Sequence, residues 1–298
     1  MPYSELWEVP MENKIQIENV SFVYSPGTTY RTDALDDVSI GFEKGKITGL
    51  IGHTGSGKST LVQMLNGLLK PASGRVLIDG EDIWAKPKEI SKVRFRVGLV
   101  MQYPEYQLFE ETVRKDIAFG PKNMGMTDEQ IAKSTEAVAN IVGLDESVLD
   151  KSPFDLSGGQ KRRAAIAGVM AMEPEVLVLD EPAAGLDPEG RNSIFAAIAD
   201  YQKQRNATVI IVSHSMEDMA RWCDNIVVMS RSKVFMAGTT DEVFERASEL
   251  VSVGLDIPEI TRLMMLLKNR GLDVDLGAYT VDAALESVKK LFNENKNK

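Results

Sequence analysis

An α/β fold organised around a mainly parallel sheet is predicted by three features of the chain. The apolar run Ile47-Thr48-Gly49-Leu50-Ile51 leads directly into Gly52-His53-Thr54-Gly55-Ser56-Gly57-Lys58-Ser59, the form taken by a strand that feeds a phosphate-binding loop and then a helix. Val176–Asp180, Val209–Val212 and Ile226–Met229 are short, nearly continuous apolar runs, as strands buried on both faces of a parallel sheet require. From about Tyr103 to Met172 the pattern turns helical with no convincing strand, which predicts a helical subdomain inserted in the α/β core.

In chain order, residues 15–24 and 38–51 alternate or run apolar in the manner of strands, with the turn-rich Ser25-Pro26-Gly27-Thr28 between them, and make an N-terminal β subdomain. Ser59 to Leu69 reads as a helix stopped by Lys70-Pro71, because proline lacks the amide and clashes with the preceding turn. Strands are expected at Arg75–Ile78 and Val97–Gln102, with the turn dipeptide Asp79-Gly80 between the two. Leu156-Ser157-Gly158-Gly159-Gln160 precedes a helix over 161–172, and Ser157 is placed to cap it. Two amphipathic helices occupy the tail. Ile257, Ile260, Leu263, Met264 and Leu267 share one face, ended by Asn269-Arg270-Gly271, and Val281, Leu285, Val288 and Phe292 share another after the cap Thr280. Asn293 to Lys298 reads as a frayed end. The chain thus divides into a nucleotide-binding domain over 1–245, with its helical subdomain at about 103–172, and a helical C-terminal extension over 246–298.

With 298 residues, 43% hydrophobic and 26% charged, the chain can bury one large or two modest cores. The one cysteine, Cys223, cannot make an internal disulfide and reads as a small buried apolar residue; Met1-Pro2-Tyr3-Ser4-Glu5-Leu6 shows no basic-then-apolar targeting pattern, so a reducing cytosol is expected. No apolar run approaches the roughly 20 residues of a membrane-spanning helix, so direct membrane insertion is not expected. A net charge of −10, from 34 basic and 44 acidic residues, argues against nucleic acid as a partner and against anionic lipid headgroups. Any work at a membrane needs a protein partner to hold the chain there.

The glycine-rich loop demands its residue types. Gly52, Gly55 and Gly57 let the backbone turn its N–H groups inward around phosphates, while the helix opening near Lys58 aims its positive end at them. Lys58 places a point charge on the β and γ phosphates, and the Ser59 hydroxyl serves Mg²⁺, an ion that takes few protein ligands. The cofactor-binding set here runs Gly52, His53, Thr54, Gly55, Ser56, Gly57, Lys58, Ser59 and Thr60, with His53 at a loop position of free side-chain identity. Asp180-Glu181 ends the strand Val176-Leu177-Val178-Leu179, where a Mg²⁺-organising carboxylate belongs. Asp180 takes that role through water. Glu181, pointing the opposite way along an extended backbone, orients or deprotonates the attacking water, and with an ordinary pKa of about 4 it would contribute mainly by positioning. The glycines after Ser157 expose amides at a second helix N-terminus, so a chain with one nucleotide has two phosphate cradles.

The order of these segments, with Gln102 at a strand end, Ala184-Gly185-Leu186-Asp187, and His214 after Val209–Val212, resembles the ATPase subunit of ABC transporters over residues from about 15 to 245. The resemblance implies two such subunits facing head to tail, each lending its serine–glycine loop to the ATP held by the other. It implies Tyr24 stacking on adenine, with Phe22 as its competitor, and Gln102 sensing Mg²⁺ and the transmembrane partner. Ser157, Gly158, Gly159 and Gln160 would meet the opposite γ-phosphate, Asp187 would lie at the dimer seam, and His214 would hold the γ-phosphate and water.

A narrower match lies around the glutamine. Met101-Gln102-Tyr103-Pro104-Glu105-Tyr106-Gln107-Leu108-Phe109-Glu110-Glu111-Thr112-Val113, with Asp116-Ile117-Ala118-Phe119-Gly120-Pro121, is similar to the energy-coupling factor transporters that import vitamins and transition-metal ions. Tyr24-Ser25-Pro26-Gly27-Thr28 and Gly159-Gln160-Lys161-Arg162-Arg163 look like the second of their two paralogous ATPases. The partners implied are a second ATPase in a heterodimer, a transmembrane coupling protein and a membrane-embedded substrate-binding subunit, at the cytoplasmic face of the cell membrane. Tyr103, Tyr106, Leu108 and Phe109 could form a groove for a partner's helix, with internal packing as the alternative. Ala183 departs from the threonine usual in that family. A tail of this kind adds contact between ATPases there, and packing on its own core fits the pattern equally. Two other functions compete. A soluble ABC ATPase acting on DNA or ribosomes is disfavoured by the single cassette and by the spacing of only about a hundred residues between loop and signature. A P-loop kinase or GTPase lacks its Asn-Lys-x-Asp segment and would have no use for Ser157.

Overall fold

The computed structural model describes residues 12–296, with side chains described up to residue 291. Two long antiparallel strands come first, β1 (Asn13–Tyr24) and β2 (Thr32–Glu43). The single strand expected over 38–51 is in fact two. Lys44-Gly45 turns the chain, with Gly45 at φ 66°, and β3 (Ile47–Gly52) enters a different sheet, buried at every residue where β2 alternates. α1 (Lys58–Leu65) stops short of Leu69 because Gly67, at φ 70°, breaks the helical path first. Asp79-Gly80 closes a hairpin between β4 (Ser73–Ile78) and the two-residue β5 (Glu81–Asp82), so it does not lead to the next strand. α2 (Ile90–Arg96) intervenes before β6 (Val97–Val100), which ends two residues before Gln102.

The stretch from 103 to 172 holds helices and no strand, as expected: α3 (Val113–Asn123), α4 (Asp128–Ile141), α5 (Glu146–Leu149) and α6 (Gly158–Met170). Then β7 (Val176–Asp180), α7 (Pro188–Arg205), β8 (Thr208–Val212), α8 (Met216–Trp222) and β9 (Asn225–Ser230) alternate. β10 (Lys233–Thr239) has no counterpart in the sequence pattern; a half-buried edge strand, it is held by antiparallel pairing to β9. α9 (Thr240–Glu245), α10 (Ala247–Ser252), α11 (Glu259–Asn269) and α12 (Val281–Lys296) complete the described chain.

The strands form two sheets, β2-β1-β4-β5 and β10-β9-β3-β8-β7-β6; within the second, β9, β3, β8, β7 and β6 are mutually parallel. Its strands alternate between two cores. Leu50, Val178, Ile210 and Val212 face a core shared with the first sheet and α1, while Ile51, Leu177, Leu179 and Ile211 face the core shared with the helices. Each such side chain contributes about 1.5–3 kcal/mol by leaving water. Cys223 is buried among these residues, and burial pushes its thiol up, in keeping with its apolar reading.

The tail is amphipathic but buries less than its spacing promises. Met264 is fully buried with Val274, Ala278 and Ala284, whereas Leu263, Val281 and Leu285 are exposed. A helical hairpin offers each helix one neighbour, so only the central line of each stripe is covered. Thr280 does cap α12, accepting the Ala283 N–H at 3.3 Å, and Gly271 at φ 85° ends α11. α12 runs on to Lys296, past the expected fray at Asn293. Phe292's place on its face, and residues 297–298, lie outside what is described. Ala247, Leu250, Leu255 and Ile257 still pack into the main core.

Leu50, wholly buried on the strand that aims the phosphate loop, sets a stability test. Leu50→Ala should cost about 2–5 kcal/mol, read as a lowered denaturant midpoint at unchanged slope.

Candidate active site

Parallel register brings four strand ends to one edge in the order β3, β8, β7, β6, and each delivers a segment singled out above. β3 delivers the glycine loop, β8 His214, β7 Asp180-Glu181 and β6 Gln102. They meet around a cleft of about 400 Å³ whose wall also includes Tyr24, Thr54, Gly55, Gly57, Lys58, Ser59 and Thr60. That volume lies within the roughly 300–1,000 Å³ typical of small-ligand sites.

The loop is built for backbone contact. Gly55 and Gly57 stand at φ 81° and 102°, where a side chain would be strained, and a Cβ on Gly57 would also collide with the Ala34 carbonyl oxygen. Lys58 is buried, its Nζ donating to the carbonyls of Gly52 (2.6 Å) and His53 (3.1 Å). Burial lowers its pKa, and Asp180 and Glu181 pull the other way. Ser56 Oγ is buried without a partner, and His53 places Nδ1 2.9 Å from the Thr54 carbonyl; Gly52, His53 and Ser56 support the loop without lining the cleft. Tyr24 lines it, its hydroxyl 3.3 Å from Thr60 Oγ1, while Phe22 meets Tyr24 edge-on and packs against the core. Of the two rings, Tyr24 is the one exposed to the cleft.

Glu181 differs from expectation in two ways. Its backbone is left-handed, φ 51°, with its N–H donating to Val212 O at 2.9 Å, so the two carboxylates do not diverge as on an extended strand. Both line the cleft. Burial, with the Asp180 charge adding in the same direction, pushes the Glu181 carboxyl up to about 7 instead of leaving it at the ordinary value. Asp180 is raised by burial too, with Lys58 opposing. His214 is lowered by burial and by Lys58, and its Nε2 lies 3.6 Å from Glu181 Oε1, beyond hydrogen-bond reach.

The second cradle is elsewhere. Ser157 and Gly158 are exposed and none of residues 157–160 lines the cleft. Ser157 Oγ accepts from the Gln160 N–H (3.3 Å), and Gln160 Oε1 accepts from the Ser157 N–H (3.1 Å), a reciprocal cap on α6. Asp187 likewise caps α7, accepting the Gly190 N–H at 2.7 Å. A Cβ on Gly159 would stand 3.9 Å from Leu186 Cδ2, so the two loops adjoin. Sequence reasoning missed Arg162 and Glu105, a buried arginine and a half-buried carboxylate joining α6 to the turn after Gln102. Fifty-seven residues separate them, and no local pattern links such a pair.

The residues fit a nucleotide with its cation. Glu181 Oε1 is buried without a hydrogen-bond partner, one lysine faces two carboxylates, and Gly52 and Gly57 leave no room for a Cβ. Among the described residues no group of three or more His, Cys, Asp or Glu is arranged to hold a metal, and Ser59 and Asp180 line the cleft as the groups that would meet a cation there.

Residues 35–184 match the ABC transporter family. The chain is 53% identical over 280 residues to the energy-coupling factor transporter ATP-binding protein EcfA2 of Clostridium tetani, covering 94% of this chain and 97% of that one. The protein of the same description from Geobacillus kaustophilus is 46% identical over 283 residues, covering 94% and 98%. Among solved structures, cbiO1 of Clostridium perfringens, part of the ABC transporter complex cbiONQ, superposes with a TM-score of 0.73 at 39% identity, over 85% of this chain and 99% of that one. A bacterial ABC transporter cassette solved as a dimer gives 0.68 at 26% identity, over 76% and 98%.

The raised Glu181 pKa carries a stability consequence. Folding favours the protonated carboxyl, so its contribution is full below the unfolded value of 4.5 and is lost as pH rises through about 7. Without nucleotide or divalent cation, Glu181→Gln should therefore be more stable than the parent at pH 8.5, by up to about 3 kcal/mol, with the gap narrowing at pH 5.5. Thermal unfolding at the two pH values measures it.

Proposed function

The chain belongs to the ABC transporter family of ATPases, and from that premise we propose that it is the ATP-hydrolysing motor subunit of an energy-coupling factor importer of vitamins or metal ions. The observation that carries this reading is the single edge on which the glycine loop, His214, Asp180-Glu181 and Gln102 surround one cleft while Ser157 to Gln160 lie outside its lining. A cap that its own cleft does not use is explained if a second ATPase, paralogous in a heterodimer, supplies the nucleotide it meets.

In that reading Tyr24 stacks on adenine, and the 52–60 backbone with Lys58 holds the phosphates. Two of the three Lys58 N–H donors bond the Gly52 and His53 carbonyls, and the third remains for phosphate. Ser59 and, through water, Asp180 would hold Mg²⁺, with Gln102 nearby, and the ion would supply neutralising charge. Glu181, with one oxygen unpaired and a pKa near neutrality, takes the proton of the attacking water. His214, kept neutral, positions that water and the γ-phosphate. Asp187 and the signature residues act across the seam.

Membrane attachment is through partners, since among the described residues no helix is long and apolar enough to cross a bilayer. Tyr103, Tyr106 and Phe109 are exposed and Phe119 meets Phe109 edge-on, which supports a groove for the transmembrane coupling protein over internal packing; only Leu108 turns to the core. That protein in turn carries the membrane-embedded substrate-binding subunit. We divide the chain into a nucleotide-binding unit, 1–245 with helical subdomain 103–172, and an extension, 246–298. Ala183, buried at 6% exposure, packs inward, and its departure from threonine is expected to matter little.

Purification from the native membrane should bring down a second ATPase and membrane proteins; recovery of the chain alone or with ribosomes would favour a soluble factor. Glu181→Gln should bind ATP as the parent does, while turnover falls by about 10²-fold or more and a closed dimer accumulates. Turnover at the parent rate would remove Glu181 from the chemistry.

A further inference from the structure

Arg162 is 3% exposed and lies on α6, just past the Ser157–Gln160 cap. Its guanidinium donates from Nε and Nη2 to the two carboxylate oxygens of Glu105, at 3.1 and 2.7 Å, and from Nη1 to the Ala184 carbonyl. The same group lies 5.9 Å from the centroid of the Tyr103 ring. One side chain thereby holds three segments. Glu105 sits in the turn Pro104–Gln107, directly after Gln102 and the left-handed Tyr103 at φ 55°. Ala184 lies in the turn, closed by the Leu186 N–H on the Ala183 carbonyl, that leads to the cap Asp187.

A buried cation persists only where its hydrogen bonds are met, and the planar fork of arginine meets a carboxylate with two parallel bonds while a third N–H remains for a carbonyl. Lysine could not span this arrangement. Simple anchoring of α6 needs no charge, because Ala164, Ile166, Ala167 and Met170 already bury the helix. The polar triad joins only the segments that carry Gln102, the serine–glycine cap and the seam turn.

We propose that Arg162 is a positioning residue that makes these three segments move as one body. The state sensed at Gln102 in the chain's own cleft is thereby delivered to the cradle and seam that face the second ATPase. This deepens the proposed function and rests on nucleotide binding in the 52–60 loop.

Hydrogen exchange of the full chain, with and without a non-hydrolysable ATP analogue and Mg²⁺, reads the coupling directly. In the parent, nucleotide should slow exchange at 52–59 and, together with it, at 101–107, 157–163 and 184–187. Arg162→Lys and Glu105→Gln should keep the response at 52–59 and the unliganded protection of α6, yet lose most of the response at 157–163 and 184–187. In the purified multi-subunit assembly, kcat should fall about three- to thirty-fold with KM for ATP held within about twofold, and Glu105→Gln should retain more than Glu105→Ala.

An unchanged response at 157–163 in both variants overturns the proposal. So does a loss of α6 protection before nucleotide is added, which would mark the pair as a structural bolt. A parent that responds at 52–59 but not at 157–163 also overturns it. No response at 52–59 in the parent defeats the nucleotide reading itself, and the inference with it.

Discussion

Parallel pairing of β3, β8, β7 and β6 is the constraint on which the site depends. A parallel ladder sends every strand out of the sheet on the same side, and loops leaving adjacent strands are then separated by one strand spacing of about 4.8 Å. Asp180 pairs with Val212, and Gly52 lies at the end of the neighbouring β3, so the carboxylates, the histidine and the lysine loop are neighbours before any side chain is chosen. Alternating burial fixes the register, because a slip of one residue would turn Leu50 or Val178 from one core to the other. The chemistry is therefore held by apolar packing beneath it.

Within that frame the electrostatics are deliberately unbalanced. Asp180 and Glu181 face the cleft with Lys58 as the cation that acts on both, and the lysine gives two of its three donors to loop carbonyls. Glu181 also holds a left-handed backbone, a conformation that costs about 1–3 kcal/mol in a residue with a side chain. Two fully buried neighbours in β7, such as Leu177 and Leu179, offset that at about 1.5–3 kcal/mol each. One left-handed residue and two raised carboxyl pKa values thus meet where added positive charge and a polar ligand would relieve them.

How much of this the sequence disclosed depends on the range of the interaction. The glycine loop, the buried strands and the Ser157 cap are local signals, and each lies where its residues place it. The break at Lys44-Gly45 was hidden because an alternating strand and a doubly buried one both read as apolar when they abut. β10 escaped because pairing, not pattern, makes it a strand. Glu181 illustrates the deeper limit: its identity and place were legible, but its left-handed turn is held by the Val212 carbonyl and its pKa is raised first by burial and then by Asp180, and neither effect is written in the local spacing. The tail stripes over-promised for a related reason. Periodicity counts apolar positions and cannot say how many neighbours will cover them, so Leu263 and Leu285 remain in solvent.

The two anion cradles differ in kind, and the difference argues for their separate duties. At the glycine loop the donors are gathered around a buried lysine, with carboxylates opposite, so charge can be both neutralised and worked upon. At Ser157 the helix end is exposed and no ionisable side chain of the chain's own cleft comes with it. Its serine and glutamine already satisfy one another's N–H groups, leaving Gly158 and Gly159 as open donors on a rigid, capped helix. Such an end can recognise a phosphate but has nothing with which to cleave it. In the proposed function the first cradle binds and cleaves while the second only recognises, and the pairing with a second ATPase is proposed from that asymmetry as much as from family likeness.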